Sequence, residues 1–149
     1  MFSLSKTPLE QKNLREGMTS LQVGALCCFE GLVRDHNDGK KVQSLEYEAA
    51  EILCQKEAGK IFEEVKEKFD CISMRCFHRI GRLNVGEMAV WVGVMASHRD
   101  ESFKACRYII DELKKRLPIW KKEYYADGDS GWIGCPSSLS HSLSDSHEK

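Results

Sequence analysis

Apolar residues along this chain recur with two different periods, and the change of period divides it into elements. Cys54, Ala58, Ile61, Phe62, Val65 and Phe69 return at three- and four-residue steps, which predicts an amphipathic helix from about Ala50 to Lys68. Phe103, Cys106, Ile110, Leu113 and Leu117 form a second stripe of the same kind. Ser97-His98-Arg99-Asp100 fits a capping box at its start, Lys114-Lys115-Arg116 fill its last turn, and Pro118 stops it. Elsewhere the period shortens to two or merges into continuous apolar runs. Val23 to Val33 reads as a buried strand, His36-Asn37-Asp38-Gly39 as a turn, and Val42 to Glu48 as the return strand of a hairpin. Ile72, Met74, Cys76 and His78 alternate with polar positions, and a turn at Asn84-Val85-Gly86 leads to Met88–Ala96. That last run is nearly all apolar, which predicts a central strand covered on both faces. Thr7-Pro8-Leu9-Glu10 predicts a short helix reaching about Gly17, and Trp132-Ile133 a final strand. The order is α+β, with a mainly antiparallel sheet and two long amphipathic helices. One domain over residues 1–135 is expected, followed by a serine-rich, disordered tail over 136–149.

Composition narrows the class without naming an activity. Of the 149 residues 42% are hydrophobic and 30% charged, which suits a globular domain with a sizeable core. No apolar run approaches the roughly 20 residues that cross a bilayer. Met1-Phe2-Ser3-Leu4-Ser5-Lys6 lacks the pattern of a secretory signal, so a cytoplasmic location is expected. The formal charge of −1, from 22 basic and 23 acidic residues, argues against a general nucleic-acid binder. The seven cysteines form no C-x-x-C pair and no metal-ligand spacing with histidine, so they read as reduced thiols, and none has the cationic setting of a reactive thiolate.

The distribution of charge matters more than its sum. Lys114, Lys115, Arg116, Lys121 and Lys122 fall within nine residues, and His98-Arg99 open the same helix. Lys114 sits at the edge of the predicted apolar stripe, where partial desolvation would favour a neutral amine usable as nucleophile or base. From position alone, a lysine that completes the helix end and extends to solvent is the more ordinary reading. His98 and Arg99 occupy a strand-to-helix junction, where free backbone N–H groups attract phosphate, or else simply cap the helix. Arg34 to Asn37 reads as a polar loop or an anion contact, and Gly31 as a bulge or a close ligand approach.

Five segments in order and spacing carry a resemblance: Phe29-Glu30-Gly31-Leu32-Val33-Arg34-Asp35-His36-Asn37, Leu45-Glu46-Tyr47-Glu48, His78-Arg79-Ile80-Gly81, Val92–Arg99 and Leu113–Glu123. Together they resemble the catalytic, large subunit family of molybdopterin synthase from about Gly24 to Trp132. The resemblance implies an α/β hammerhead fold and a sulfurtransferase of molybdenum cofactor biosynthesis. In that family two sulfurs are installed on cyclic pyranopterin monophosphate, giving the molybdopterin dithiolene. The sulfur arrives on the C-terminal Gly-Gly thiocarboxylate of a small ubiquitin-like carrier subunit, and a large-subunit homodimer stands at the centre of a heterotetramer. The resemblance assigns Lys114 and Lys121 as catalytic, and places Leu32, Val33, Arg34, His98, Arg99, Lys122 and Glu123 with them at the substrate. It implies no cofactor and no metal, since the nucleophile comes already activated; nucleic acid and membrane have no part.

The chain departs from the family pattern at Ala49-Ala50-Glu51-Ile52-Leu53, and again after Trp132, where Gly134-Cys135-Pro136 replaces an acidic stretch with an arginine. A rival from another class is a non-catalytic adaptor that binds a ubiquitin-like C-terminus. Retention of Arg34, His98, Arg99, Lys114 and Lys121 argues against it. A nucleotide-binding domain is disfavoured by the absence of a Gly-rich phosphate loop.

Overall fold

The computed structural model describes residues 1–128 and 130–133. Its first strands are β1 (Phe2–Ser5), β2 (Ala25–Leu32), β3 (His36–Asn37) and β4 (Lys40–Ala49), followed by α1 (Glu51–Lys68). Then come β5 (Ser73–Arg79), β6 (Gly81–Asn84), β7 (Met88–Ala96), α2 (Arg99–Arg116), β8 (Ile119–Tyr125) and β9 (Ser130–Ile133). One sheet has the order β1-β5-β7-β2, parallel only between β1 and β5. The other has the order β3-β4-β8-β9, with β6 also paired to β4, and is antiparallel throughout. The expected α+β class with two long helices holds.

β7 organises the molecule, as its continuous apolar sequence predicts. Every one of its residues is buried. Val90, Val92 and Val94 join Cys54, Ile61, Val65, Cys106, Ile109 and Leu113 in the core beneath the two helices. Trp91 and Met95 face the other way, onto Leu9, Leu14 and Met18.

Three expectations are corrected. Thr7 to Gly17 is not a helix: a single 3-10 turn at Leu9–Gln11 precedes irregular chain. The Glu10 carboxylate accepts the backbone N–H of Met88, and Leu9 and Leu14 are sunk against the β7 face, so tertiary contacts override the local capping signal. The long hairpin does not form either. β2 pairs antiparallel with β7, and only the two-residue β3 returns onto β4, around Asp38 and Gly39, both at positive φ. Finally, the helix following Ser97 has His98 as its N-cap in extended conformation, with no side-chain cap hydrogen bond, so the capping box is not made.

The stripe of α2 is rotated from the expected one. Ser102, Ala105, Cys106, Ile109 and Leu113 are buried, whereas Phe103 is 60% exposed. Gly31 marks a bulge: the β2–β7 register shifts between Gly31 and Leu32, and a Cβ on Gly31 would meet the Val90 side chain. The serine-rich tail over 136–149 lies outside the described residues. No helix of the described residues is long and apolar enough to cross a membrane.

Candidate active site

α2 ends at Arg116, Leu117 closes it by donating its N–H to the Leu113 carbonyl, and after Pro118 the chain leaves at once as β8. This corner brings Lys114, from the last helical turn, and Lys121, from the third residue of β8, to one cavity of about 210 Å³. Its walls come from every layer: Tyr47 of β4, His78 of β5, Val90 of β7, Ile110 and Leu113 of α2, and Ile133 of β9. The walls are mostly apolar, and both cations are among the side chains that line them. The volume is below the roughly 300–1,000 Å³ usual for small-molecule sites, so the space suits a narrow chain more than a bicyclic ring.

Lys114 is exposed rather than tucked at the stripe's edge, which corrects the expected desolvation. Lys121 is fixed: its ammonium lies 3.1 Å from the carboxylate of Glu123, which is 3% exposed. Asn37 donates to both Glu123 oxygens at 3.1 and 3.0 Å, and the Tyr125 hydroxyl donates at 2.7 Å. Burial alone would raise the Glu123 pKa, but Tyr125, Asn37 and Lys121 together outweigh it and hold it below the ordinary value. Glu123 is thus an anchor for Lys121. Lys122 points to the other face of β8, against the rings of Tyr124 and Trp132.

His78 and Tyr47 escaped the sequence reading as site residues. Their rings meet edge to face at 4.9 Å. The His78 Nδ1–H donates to the Arg79 carbonyl at 2.7 Å, which fixes its tautomer. Burial chiefly, with a contribution from the Lys114 ammonium and against the Arg79 bond, takes its pKa down to about 4. Burial, then the Glu123 charge, pushes the Tyr47 phenol up to about 12. The signal was available for His78: it stands at an inward position of an alternating strand, where a titratable ring is out of place.

The remaining sequence candidates lie elsewhere. Arg34 is exposed after β2, next to Val33, which is buried against Leu45, Leu83 and Ala89 and has both backbone groups hydrogen bonded. Val33 therefore holds Arg34 in place without offering a surface itself, while Leu32 is 57% exposed. His98 and Arg99 are exposed at the far end of α2. The 15 residues from Arg99 to Lys114 put them about 22 Å from it at helical rise. One copy of the chain does not bring the two cation groups together.

Five of the described thiols make poor rival nucleophiles. Burial raises Cys54 and Cys71 to about 11 and Cys106 to about 12, and pushes Cys76 and Cys28 upward too.

Comparison with known proteins finds relatives of the chain. The family model described as MoaE protein matches residues 4–116. The molybdopterin synthase catalytic subunit of Pyrococcus abyssi is 42% identical over 134 residues, covering 88% of this chain and 89% of that protein. The crystal structure of molybdopterin synthase from Staphylococcus aureus superimposes with a TM-score of 0.81 at 35% identity, over 88% of this chain and 95% of that one. The protein–protein complex of subunits 1 and 2 of molybdopterin-converting factor from Helicobacter pylori shares the fold, with a TM-score of 0.71 at 21% identity over 89% and 88% of the two chains.

Proposed function

We propose, from the premise that this chain belongs to the MoaE family, that it is the catalytic subunit of a molybdopterin synthase. It transfers sulfur from the C-terminal thiocarboxylate of a small ubiquitin-like subunit to cyclic pyranopterin monophosphate in the cytoplasm. The observation that carries this reading is the small, mostly apolar-walled cavity that Lys114 and Lys121 both line.

A Gly-Gly tail is the narrowest peptide available, and its terminal thiocarboxylate is anionic. Threaded into the cavity, such a tail lays its backbone along Val90, Ile110, Leu113 and Ile133 and brings its sulfur to the two ammonium groups. The substrate carries a phosphate, so two anions must approach each other, and fixed cations remove most of that repulsion. Lys121 serves as a preset charge because buried Glu123 holds it, whereas exposed Lys114 is free to follow the reacting group. The sulfur bonds to a pterin side-chain carbon as a carbon–oxygen bond there breaks, the oxygen leaving with its electron pair and taking up a proton. Carrier and pterin are then joined through an acyl–sulfur bond. Hydrolysis of that bond leaves the sulfur on the pterin, and a second charged carrier repeats the step.

Arg34, His98 and Arg99 are the substrate's phosphate contacts in this reading. With His98 and Arg99 about 22 Å from Lys114 along α2, they serve the site of a second copy in the homodimer. The heterotetramer follows from adding one carrier subunit to each end of that dimer.

The deciding assay mixes the protein with thiocarboxylated carrier and cyclic pterin, then repeats with Lys114→Ala. Dithiolene product is expected from the native chain, with a loss of about 100- to 1,000-fold in the variant. Equal product from both removes Lys114 from the mechanism. Carrier binding with no product from the native chain favours the adaptor.

A further inference from the structure

Each sulfur transfer leaves an acyl–sulfur bond that water must break, and neither lysine is suited to take the proton from that water while serving as a cation for the anions around it. Among the described residues that line the cavity, His78 carries an imidazole able to accept a proton. We propose that His78 is the general base that activates the hydrolytic water, acting through Nε2.

The case rests on geometry and on the sulfur-transfer reading above. His78 lines the same cavity as Lys114 and Lys121, on the wall formed by β5, so an acyl carbon held beside the lysines lies within the cavity that the imidazole faces. Its Nδ1–H is committed to the Arg79 carbonyl at 2.7 Å, which makes Nε2 the acceptor nitrogen. The perpendicular contact with Tyr47 at 4.9 Å holds the ring plane. A base with locked tautomer and locked orientation is the arrangement general-base catalysis requires.

Its ionisation agrees. With a pKa of about 4, lowered by burial and then by Lys114, the ring is neutral near pH 7 and its lone pair is free. Such a value makes it a weak base on its own. An anionic tail and a departing thiolate beside Lys114 offset the lysine's charge and strengthen the base at the moment it is used.

The step balances. A proton passes from water to His78 Nε2 as the water oxygen bonds to the acyl carbon. The carbon–sulfur bond then breaks, and its electron pair leaves on sulfur as the pterin thiolate. The tail ends as a carboxylate after losing its proton to solvent, and His78 releases its own proton the same way. No oxidant or reductant takes part.

The test uses the full chain with thiocarboxylated carrier and cyclic pterin, comparing native protein with His78→Asn and His78→Gln. Asparagine keeps a side-chain N–H for the Arg79 carbonyl but removes the basic nitrogen; glutamine is a second replacement should asparagine disturb folding. Expected is a fall of about 100-fold in product formation. Carrier affinity should stay within twofold, and intact-mass spectra should show a carrier–pterin adduct building up. Product within threefold of native in either variant overturns the proposal, as does a fall with no adduct in every variant that still binds carrier. Failure of the native chain to make any product is a different result, and it would remove the sulfur-transfer reading along with the base.

Discussion

Glu123 brings a negative charge to a place that is 3% exposed, and three donors from three positions in the chain meet it there. Removing the charge leaves the Lys121 ammonium without its partner, so Glu123→Gln should cost about 2 kcal/mol. The carboxyl has a folded pKa below its unfolded one, so its stabilisation is fully present above the unfolded value and is lost as pH falls through the folded value. Urea unfolding of Glu123→Gln should therefore show its deficit at pH 7 and converge on the native protein in acid; a deficit that persists undiminished at low pH would refute this account. Lys121 also loses its fixed position, so product formation should fall alongside stability. At this scale the sequence announced cations but not their setting. Lys114 and Lys121 are readable as charges near a helix end, whereas the Asn37 bond to Glu123 spans 86 residues and belongs to no local pattern.

Elements were legible where one period governs the whole segment and tertiary contact agrees with it. α1 is such a case, with Cys54, Ala58, Ile61, Phe62 and Val65 all buried as spaced. β7 is another. β8 was missed because Lys121-Lys122-Glu123 looks like a solvated run, although Lys121 and Glu123 share one face and Lys122 takes the other. The expected hairpin failed because turn residues specify a turn and not which strands pair beyond it: β2 finds β7 across 56 to 71 residues. Between the helices, Arg116 bonds Glu64 at 2.8 Å and lies 3.4 Å from Glu57, while Tyr108 donates to Glu64 at 2.5 Å. Arg116 first, then Tyr108, bring the Glu64 pKa from 4.5 to about 2. The contribution is present above the unfolded value of 4.5 and lost as pH falls through about 2. Because the cluster is partly exposed, Glu64→Gln should cost only about 1 kcal/mol at pH 7. The gap between variant and native unfolding free energies should narrow from pH 5 downward, and a gap that widens in acid would assign the cluster no such role.

At the scale of the whole molecule, the two ends of α2 pose the question that one copy does not answer. Lys114 stands at one end and His98-Arg99 at the other, and α2 packs on β2, an edge strand of its sheet among the described residues. Phe29 and Leu32 of that strand are exposed, and so is Phe103 of α2. An uncovered apolar edge is a liability that a second copy removes. A two-fold axis near the middle of such an edge reverses the partner's helix, so the N-terminal end of α2 in one copy comes beside the C-terminal end of the other. In the shared-site arrangement proposed above, each site would take its lysines from one chain and His98-Arg99 from its partner. The arrangement makes a distinctive demand on mixtures. Lys114→Ala and Arg99→Ala should each be nearly inactive as homodimers, since both composite sites are broken. Subunit exchange between the two creates mixed dimers in which one site has native Lys114 and native Arg99 while the other lacks both. With random pairing, about a quarter of all sites are restored, so the mixture should recover about a quarter of native product formation. Recovery that tracks mixed dimers isolated by tag supports sharing across the interface. A mixture that stays as inactive as its components means that every site is built from one chain, and His98 and Arg99 then serve something other than the chemistry at Lys114.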